Sequence, residues 1–233
     1  MILVPGLWLT GASWDAVVSA LQGAGHAAHP LTLPGMGDDN DPTVIALADH
    51  VAAVAEAIDA CPGPVLLVGH SAGSGVAWAA ADARVDRVAG LVLIGGFPTG
   101  DGQPIADGFH AAGAPLPFPG WDAFDDAEVR DLDAGMRARL RAQMCPSPAR
   151  VITDPQRLRD DRRYRLPVTM VCLEFSPDDA QSWVKAGAAP VAELAHLDTV
   201  HWVDLDAGHW PQLSCPDRLA ELLLGAAERT HCG

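Results

Sequence analysis

The sequence predicts an α/β fold, a mostly parallel sheet with helices on both faces. Three observations carry this. Short runs rich in branched apolar residues alternate with helix-like stretches along most of the chain. One such run, Val65-Leu66-Leu67-Val68, ends abruptly in Gly69-His70-Ser71-Ala72-Gly73 and leads directly into a helix-forming stretch around Val76-Ala77-Trp78-Ala79-Ala80-Ala81. The chain of 233 residues, 49% hydrophobic and 19% charged, is long enough for a substantial core and fits one domain carrying an insertion.

Taken in order, residues 2–5 form a short apolar strand that enters Gly6-Leu7-Trp8. Ser13 is placed as the cap of a helix to about residue 23, with Ala16, Val17, Ala20 and Leu21 on one face. Residues 25–33 read as the second strand, closed by Pro34-Gly35-Met36-Gly37. Asp41-Pro42 reads as an N-cap and first-turn proline of a helix to about residue 60. Residues 64–68 and 88–94 are the next strands. From Gly95 to about Arg165 the alternation stops: Gly and Pro are frequent, and a charged helix is placed around residues 127–144. An insertion of this length after the fourth strand predicts a lid, so residues 1–96 and 166–233 are assigned to the core and 97–165 to the lid. The pattern resumes with a strand at 167–173. Ser176-Pro177-Asp178-Asp179 then gives an N-cap, a first-turn proline and two first-turn carboxylates for a helix through Lys185. Residues 200–205 are the last strand, and a helix at 217–227 closes the chain.

Composition narrows the function classes. A net charge of −15 makes nucleic acid an unsuitable partner, because phosphate binding needs clustered Lys and Arg. The cysteines Cys61, Cys145, Cys172, Cys215 and Cys232 are scattered and odd in number, which indicates neither a disulfide framework nor a zinc site. The histidines also lack ligand spacing, so no metal is expected. The opening Met-Ile-Leu-Val-Pro has no basic stretch and no long apolar segment after it. The expectation is a cytoplasmic protein with no membrane partner, acting on a small molecule without a cofactor.

The chemistry starts at Ser71. A serine on a sharp strand-to-helix turn projects Oγ off the sheet end, and Gly69 and Gly73 are small because the turn brings strand and helix backbones together. The helix N-terminus behind it offers free N–H groups to a developing oxyanion. A serine hydroxyl is a weak nucleophile, so a base must take its proton as it attacks.

This layout resembles the α/β-hydrolase superfamily nearly end to end. The resemblance runs through Val4-Pro5-Gly6, Leu33-Pro34-Gly35-Met36-Gly37, Gly69-His70-Ser71-Ala72-Gly73, the lid and Ala207-Gly208-His209. The chain starts at what would be the third strand of the full fold. The resemblance therefore implies a six-stranded sheet, as in the branch of hydroxynitrile lyases, methylesterases and small bacterial esterases. It implies Ser71 as nucleophile and His209 as base, in the chain order serine, acid, histidine. His26, His29, His50, His110, His196, His201 and His231 read as surface or core residues. The backbone amides of Leu7 and Ala72 are the implied oxyanion hole, although Pro5 stands where the family usually has histidine. The acid is the departure: the family's spacing after the penultimate strand lands on Ser176. Glu174, with no local role of its own, is favoured for the acid over Asp178, which already complements a helix dipole. Gly95-Gly96-Phe97 leaves no acid after the preceding strand, and Asp204 and Asp206 read as solvated.

Trp8, Phe97, Trp121 and Trp210 are candidate pocket walls, joined by Phe109, Leu116, Phe118 and Phe124 of the lid. Their competing role is simple core packing and anchoring of the lid. His70 is grouped with the pocket by its place beside Ser71, with its side chain turned away onto backbone. Arg137, Arg139 and Arg141 read as a solvated helix face. The function expected is hydrolysis of a small, fairly apolar carboxylic ester, lactone or thioester through an acyl-enzyme. Two rivals share the scaffold: a lyase acting on a cyanohydrin-like substrate, and a degenerate homologue that binds a ligand without turnover.

Overall fold

A computed structural model describes residues 1–37, 40–106, 109 and 113–231; His110 and Cys232 lie outside this set. Six strands form one sheet: β1 (Ile2–Val4), β2 (His29–Pro30), β3 (Val65–His70), β4 (Val88–Ile94), β5 (Val168–Cys172) and β6 (Val200–Asp204). Their order is β2-β1-β3-β4-β5-β6, and every pairing is parallel. Parallel strands need crossovers, supplied here by α1 (Asp15–Gly23), α2 (Leu47–Asp59), α3 (Gly73–Ala83) and α7 (Pro177–Lys185). Between β4 and β5 lie only the short helices α4 (Asp126–Val129), α5 (Ala134–Gln143) and α6 (Ala149–Thr153), with 3₁₀ turns. The helices α8 (Pro211–Ser214) and α9 (Pro216–His231) follow β6. No helix among the described residues is long and apolar enough to cross a membrane.

Side chains alternate across the sheet and build two cores. Leu67, Leu91, Leu93 and Met170 point to one face, with Val54 and Ile58 of α2 and Val76 and Trp78 of α3. Leu66, Val68, Val92, Ile94 and Val171 point to the other, with Val17 and Leu21 of α1 and Leu219 and Leu223 of α9. α3 is buried along nearly its whole length, so its alanines face protein on every side and it shows no amphipathic stripe.

Four elements differ from the sequence reading. The second strand shrinks to two residues at the sheet edge, where Pro30 has no N–H to give and the chain leaves after the Leu31 N–H bonds Leu3 O. The second helix begins at Leu47, not Asp41: the Asp41 carboxylate takes the Thr43 N–H and Oγ–H at 2.9 and 2.7 Å and closes a local turn. Asp49 then caps the real start by accepting the Ala46 N–H at 2.8 Å. Ser13 caps no α-helix; it lies in a 3₁₀ turn (Gly11–Trp14) and donates to Thr10 O. The charged helix is broken in two around residues 130–133, where Asp133 starts α5 by accepting the Met136 N–H at 2.7 Å.

The 97–165 segment is tied to the core through a buried ionic cluster. The Asp82 carboxylate accepts the Arg159 and Asp160 amides and pairs with Arg163 at 3.2 Å, both side chains being 5% exposed. Arg163 also reaches Glu193, which accepts Trp78 Nε1–H at 3.1 Å. Removing one side of such a cluster leaves an uncompensated buried charge. Asp82→Ala is expected to lower the unfolding free energy by about 3–5 kcal/mol, read from urea titration.

Candidate active site

All the groups that matter sit past the C-terminal ends of strands, where α/β sheets hold ligands. Leu7 follows β1, Ser71 follows β3, Glu174 follows β5 and His209 follows β6. β1 and β3 are adjacent although β2 comes between them in the chain, so Leu7 and Ser71 flank the point where the winding direction reverses.

The turn at Ser71 is forced. Ser71 has φ of +54°, and only Trp8 among the other described non-glycine residues is also left-handed, at +63°. The glycines around the turn have no room for a side chain: a Cβ on Gly69 would meet Ser74 Cα at 2.6 Å, and one on Gly73 would meet Val4 O at 2.7 Å. A Cβ on Gly96 would collide with the Ser71 carbonyl oxygen. The Ser71 N–H is fixed to Ile94 O at 2.8 Å, continuing the β3–β4 ladder past the strand end.

From Ser71 a relay of hydrogen bonds runs through His209 to Glu174. Ser71 Oγ donates to His209 Nε2 at 2.9 Å, and His209 Nδ1–H donates to Glu174 Oε1 at 2.9 Å. A carboxylate can only accept, so the Nδ1 proton assigns Nε2 the lone pair that faces the serine. The imidazole and the carboxylate are 14% and 18% exposed. Asp178 takes no part; it sits in the first turn of α7, and its neighbour Asp179 completes a capping box with Ser176. The structure thus brings Glu174, not Asp178, to His209.

Leu7 and Ala72 line a small apolar cavity of about 10 Å³ with Leu33, Met36, Val76 and Ile105, space for about one water. Their amides make no hydrogen bond among the described residues, whereas the next amide, that of Trp8, donates to Ser147 Oγ at 2.8 Å. With Cys145 N–H on Trp8 O at 3.0 Å, that bond holds the left-handed loop from the 97–165 segment.

The aromatic candidates separate into two groups. Trp8 packs edge-on against Phe109, Phe118 and Phe124, while Trp121 and Phe124 meet Trp210, whose ring lies 5.1 Å from that of His209. Trp8 and Trp210 are 4% and 2% exposed, so they back the loop and the imidazole as core residues instead of opening a wall. Phe97 lies apart, beside Trp183 and stacked at 5.3 Å on Phe175, which follows Glu174 in the chain. His70 also lines no opening: it is 1% exposed, with its ring 5.1 Å from that of His209.

Sequence reading missed the groups that hold the histidine loop. His209 N–H donates to Glu128 O and Gly208 N–H to Asp131 Oδ2, both at 2.7 Å, and Arg130 reaches Asp206 and Ala207 O. These contacts join positions about eighty residues apart, several through the backbone, and no local pattern announces them. Among the described residues no group of three or more His, Cys, Asp or Glu could hold a metal ion.

Burial pushes the His70 pKa down to about 3, with the neighbouring His209 adding to the effect. An unfolded chain protonates this imidazole below about pH 6.5, whereas the native state resists until about pH 3. In that window the unfolded state binds more protons, so stability rises with pH. Urea titrations are expected to show stability falling below about pH 6.5, by up to about 1.4 kcal/mol per pH unit from this group, and His70→Gln to flatten the slope.

Comparison with known proteins places the chain. The model of a family described as "Alpha/beta hydrolase family" matches residues 1–222. A pyrethroid hydrolase of Sphingobium wenxiniae is 32% identical over 105 residues, 44% of this chain and 37% of that protein's own length. An extracellular alpha/beta-hydrolase from a Paenibacillus species, described as sharing structural and functional homology with tobacco salicylic acid binding protein 2, superposes with a TM-score of 0.79 at 21% identity over 97% of both chains. A methylesterase from Arabidopsis gives 0.76 at 17% identity, over 97% of this chain and 98% of its own.

Proposed function

The chain belongs to the alpha/beta hydrolase family, and from that premise we propose that it is a cofactor-independent serine hydrolase of small, fairly apolar carboxylic esters, lactones or thioesters. One observation carries the reading: the continuous relay Ser71–His209–Glu174, each link 2.9 Å long. The esterase-like relatives support hydrolysis as the reaction class.

In the proposed reaction Ser71 Oγ attacks the carbonyl carbon as its proton passes to His209 Nε2. Glu174 stabilises the imidazolium that forms. The carbonyl oxygen, now an oxyanion, takes the free amides of Leu7 and Ala72. Collapse expels the alcohol or thiol, which leaves with the proton from His209. Water, deprotonated by His209, then attacks the acyl-enzyme, releasing the acid and returning the proton to Ser71.

The test is release of p-nitrophenol from p-nitrophenyl acetate, with labelling by a fluorophosphonate probe as a second readout. The wild type is expected to turn over and to label; Ser71→Ala should lose labelling and drop kcat by about 10⁶-fold, to background. Undiminished turnover in Ser71→Ala, or a wild type that never labels, overturns the reading.

A further inference from the structure

His70 is a buried, polar side chain that the reaction above does not use. Its Nε2–H donates to the backbone carbonyl oxygen of His209 at 2.6 Å. That carbonyl can only accept, so Nε2 carries the ring proton and Nδ1 the lone pair. Nδ1 faces Gln212 Nε2 at 3.4 Å, and Gln212 on α8 is itself 1% exposed. Flipping the Gln212 amide would set two acceptors against each other, so the tautomer and the amide orientation fix one another. The edge of Trp14 closes the remaining side, with ring centroids 6.4 Å apart.

The arrangement is not the most economical way to fill the space. Burying an imidazole carries a desolvation cost that an apolar side chain at position 70 would not incur, and the surrounding network still leaves Gln212 Oε1 and Trp14 Nε1 without a hydrogen-bond partner among the described residues. What the histidine adds is a link between the turn that carries the nucleophile and the loop that carries the base. His70 immediately precedes Ser71, and it grips the residue whose imidazole must face Ser71 Oγ. The Glu128 carbonyl holds the His209 N–H from the opposite side, so the backbone of the base is clamped at both its amide and its carbonyl.

We propose that His70, held in one tautomer by Gln212, is a positioning residue that fixes His209 against Ser71. Its kinetic consequence rests on the serine-hydrolase reading; its structural consequence does not. Misplacing a catalytic group by about 1 Å lowers rates by about 100-fold.

The experiment compares His70→Leu, His70→Gln and Gln212→Leu with the wild type. Gln at position 70 can still offer an N–H near the place of Nε2. His70→Leu is expected to lower kcat for p-nitrophenyl acetate by about 10- to 100-fold with KM little changed. His70→Gln should recover most of that loss, and Gln212→Leu should fall between. Proton NMR of the His209 Nδ1–H should show the resonance sharp in the wild type and His70→Gln, and broadened by exchange in His70→Leu. A role confined to packing would lower thermal stability yet leave kcat of the folded protein and this resonance unmoved, which overturns the proposal. Equal losses in His70→Leu and His70→Gln overturn it as well. Should His70→Leu not fold, ¹⁵N shifts of the wild-type His70 ring decide: an Nε2–H tautomer supports the clamp and an Nδ1–H tautomer refutes it. If the wild type neither labels nor turns over, the hydrolase reading fails, and the NMR comparison still decides the role of His70.

Discussion

The left-handed backbone at Ser71 is the constraint on which the rest of the site depends. A non-glycine residue at φ of +54° is held there only because its surroundings over-determine it. Here the strand before it, the helix after it and the loop from β4 all press on the turn through backbone atoms, and Gly69, Gly73 and Gly96 are the residues that permit such contact. The strain is local, while the forces that sustain it come from the two apolar cores on either face of the sheet. The central strands β3 and β4 supply that rigidity, being buried along nearly all of their length.

The histidine lacks such a frame. It stands on a loop after β6, whose residues are only partly buried or exposed at the sheet edge. Its position is set instead by contacts from three directions: Glu174 after β5, His70 at the end of β3, and Glu128 with Asp131 in the 97–165 segment. The rigid half of the proposed site is built by the sheet, and the adjustable half is assembled by polar contacts onto it. The inserted segment therefore does more than lie across the core. Its residues hold the backbone of His209 on one side and, through Ser147 and Cys145, the left-handed Trp8 loop on the other.

Legibility in the sequence follows the same division. Strands and helices of the core are readable because alternation and helical spacing are local properties, and the Gly-x-Ser-x-Gly turn is readable because its steric demand falls on adjacent residues. The family resemblance points to the stretch after the penultimate strand for the acid, and there Glu174 is the carboxylate without a local role, Asp178 and Asp179 reading as first-turn residues that complement a helix dipole. His70, Gln212 and Asp131 were not reachable as partners of the histidine loop, since their bonds cross from roughly 80 to 140 positions of chain and end largely on backbone groups. The aromatics misled for a related reason. Trp8 and Trp210 are large and near the motif in sequence or space, yet edge-to-face packing, not an open wall, explains their burial.

A consequence concerns how the two halves stay in register. Ser71 Oγ and His209 Nε2 meet across a gap between β3 and the loop after β6, with β4 and β5 between them in the sheet. A hydrogen bond between two side chains is a weak ruler, because each can rotate away from the other. His70 offers a stiffer one: its ring leaves the backbone one residue before Ser71 and ends on the backbone of His209 itself. One imidazole thus ties the end of β3 directly to the His209 backbone, alongside the contacts from Glu174, Glu128 and Asp131, and in the proposed reaction the Ser71–His209 bond can break and re-form as a proton moves without the two elements drifting apart.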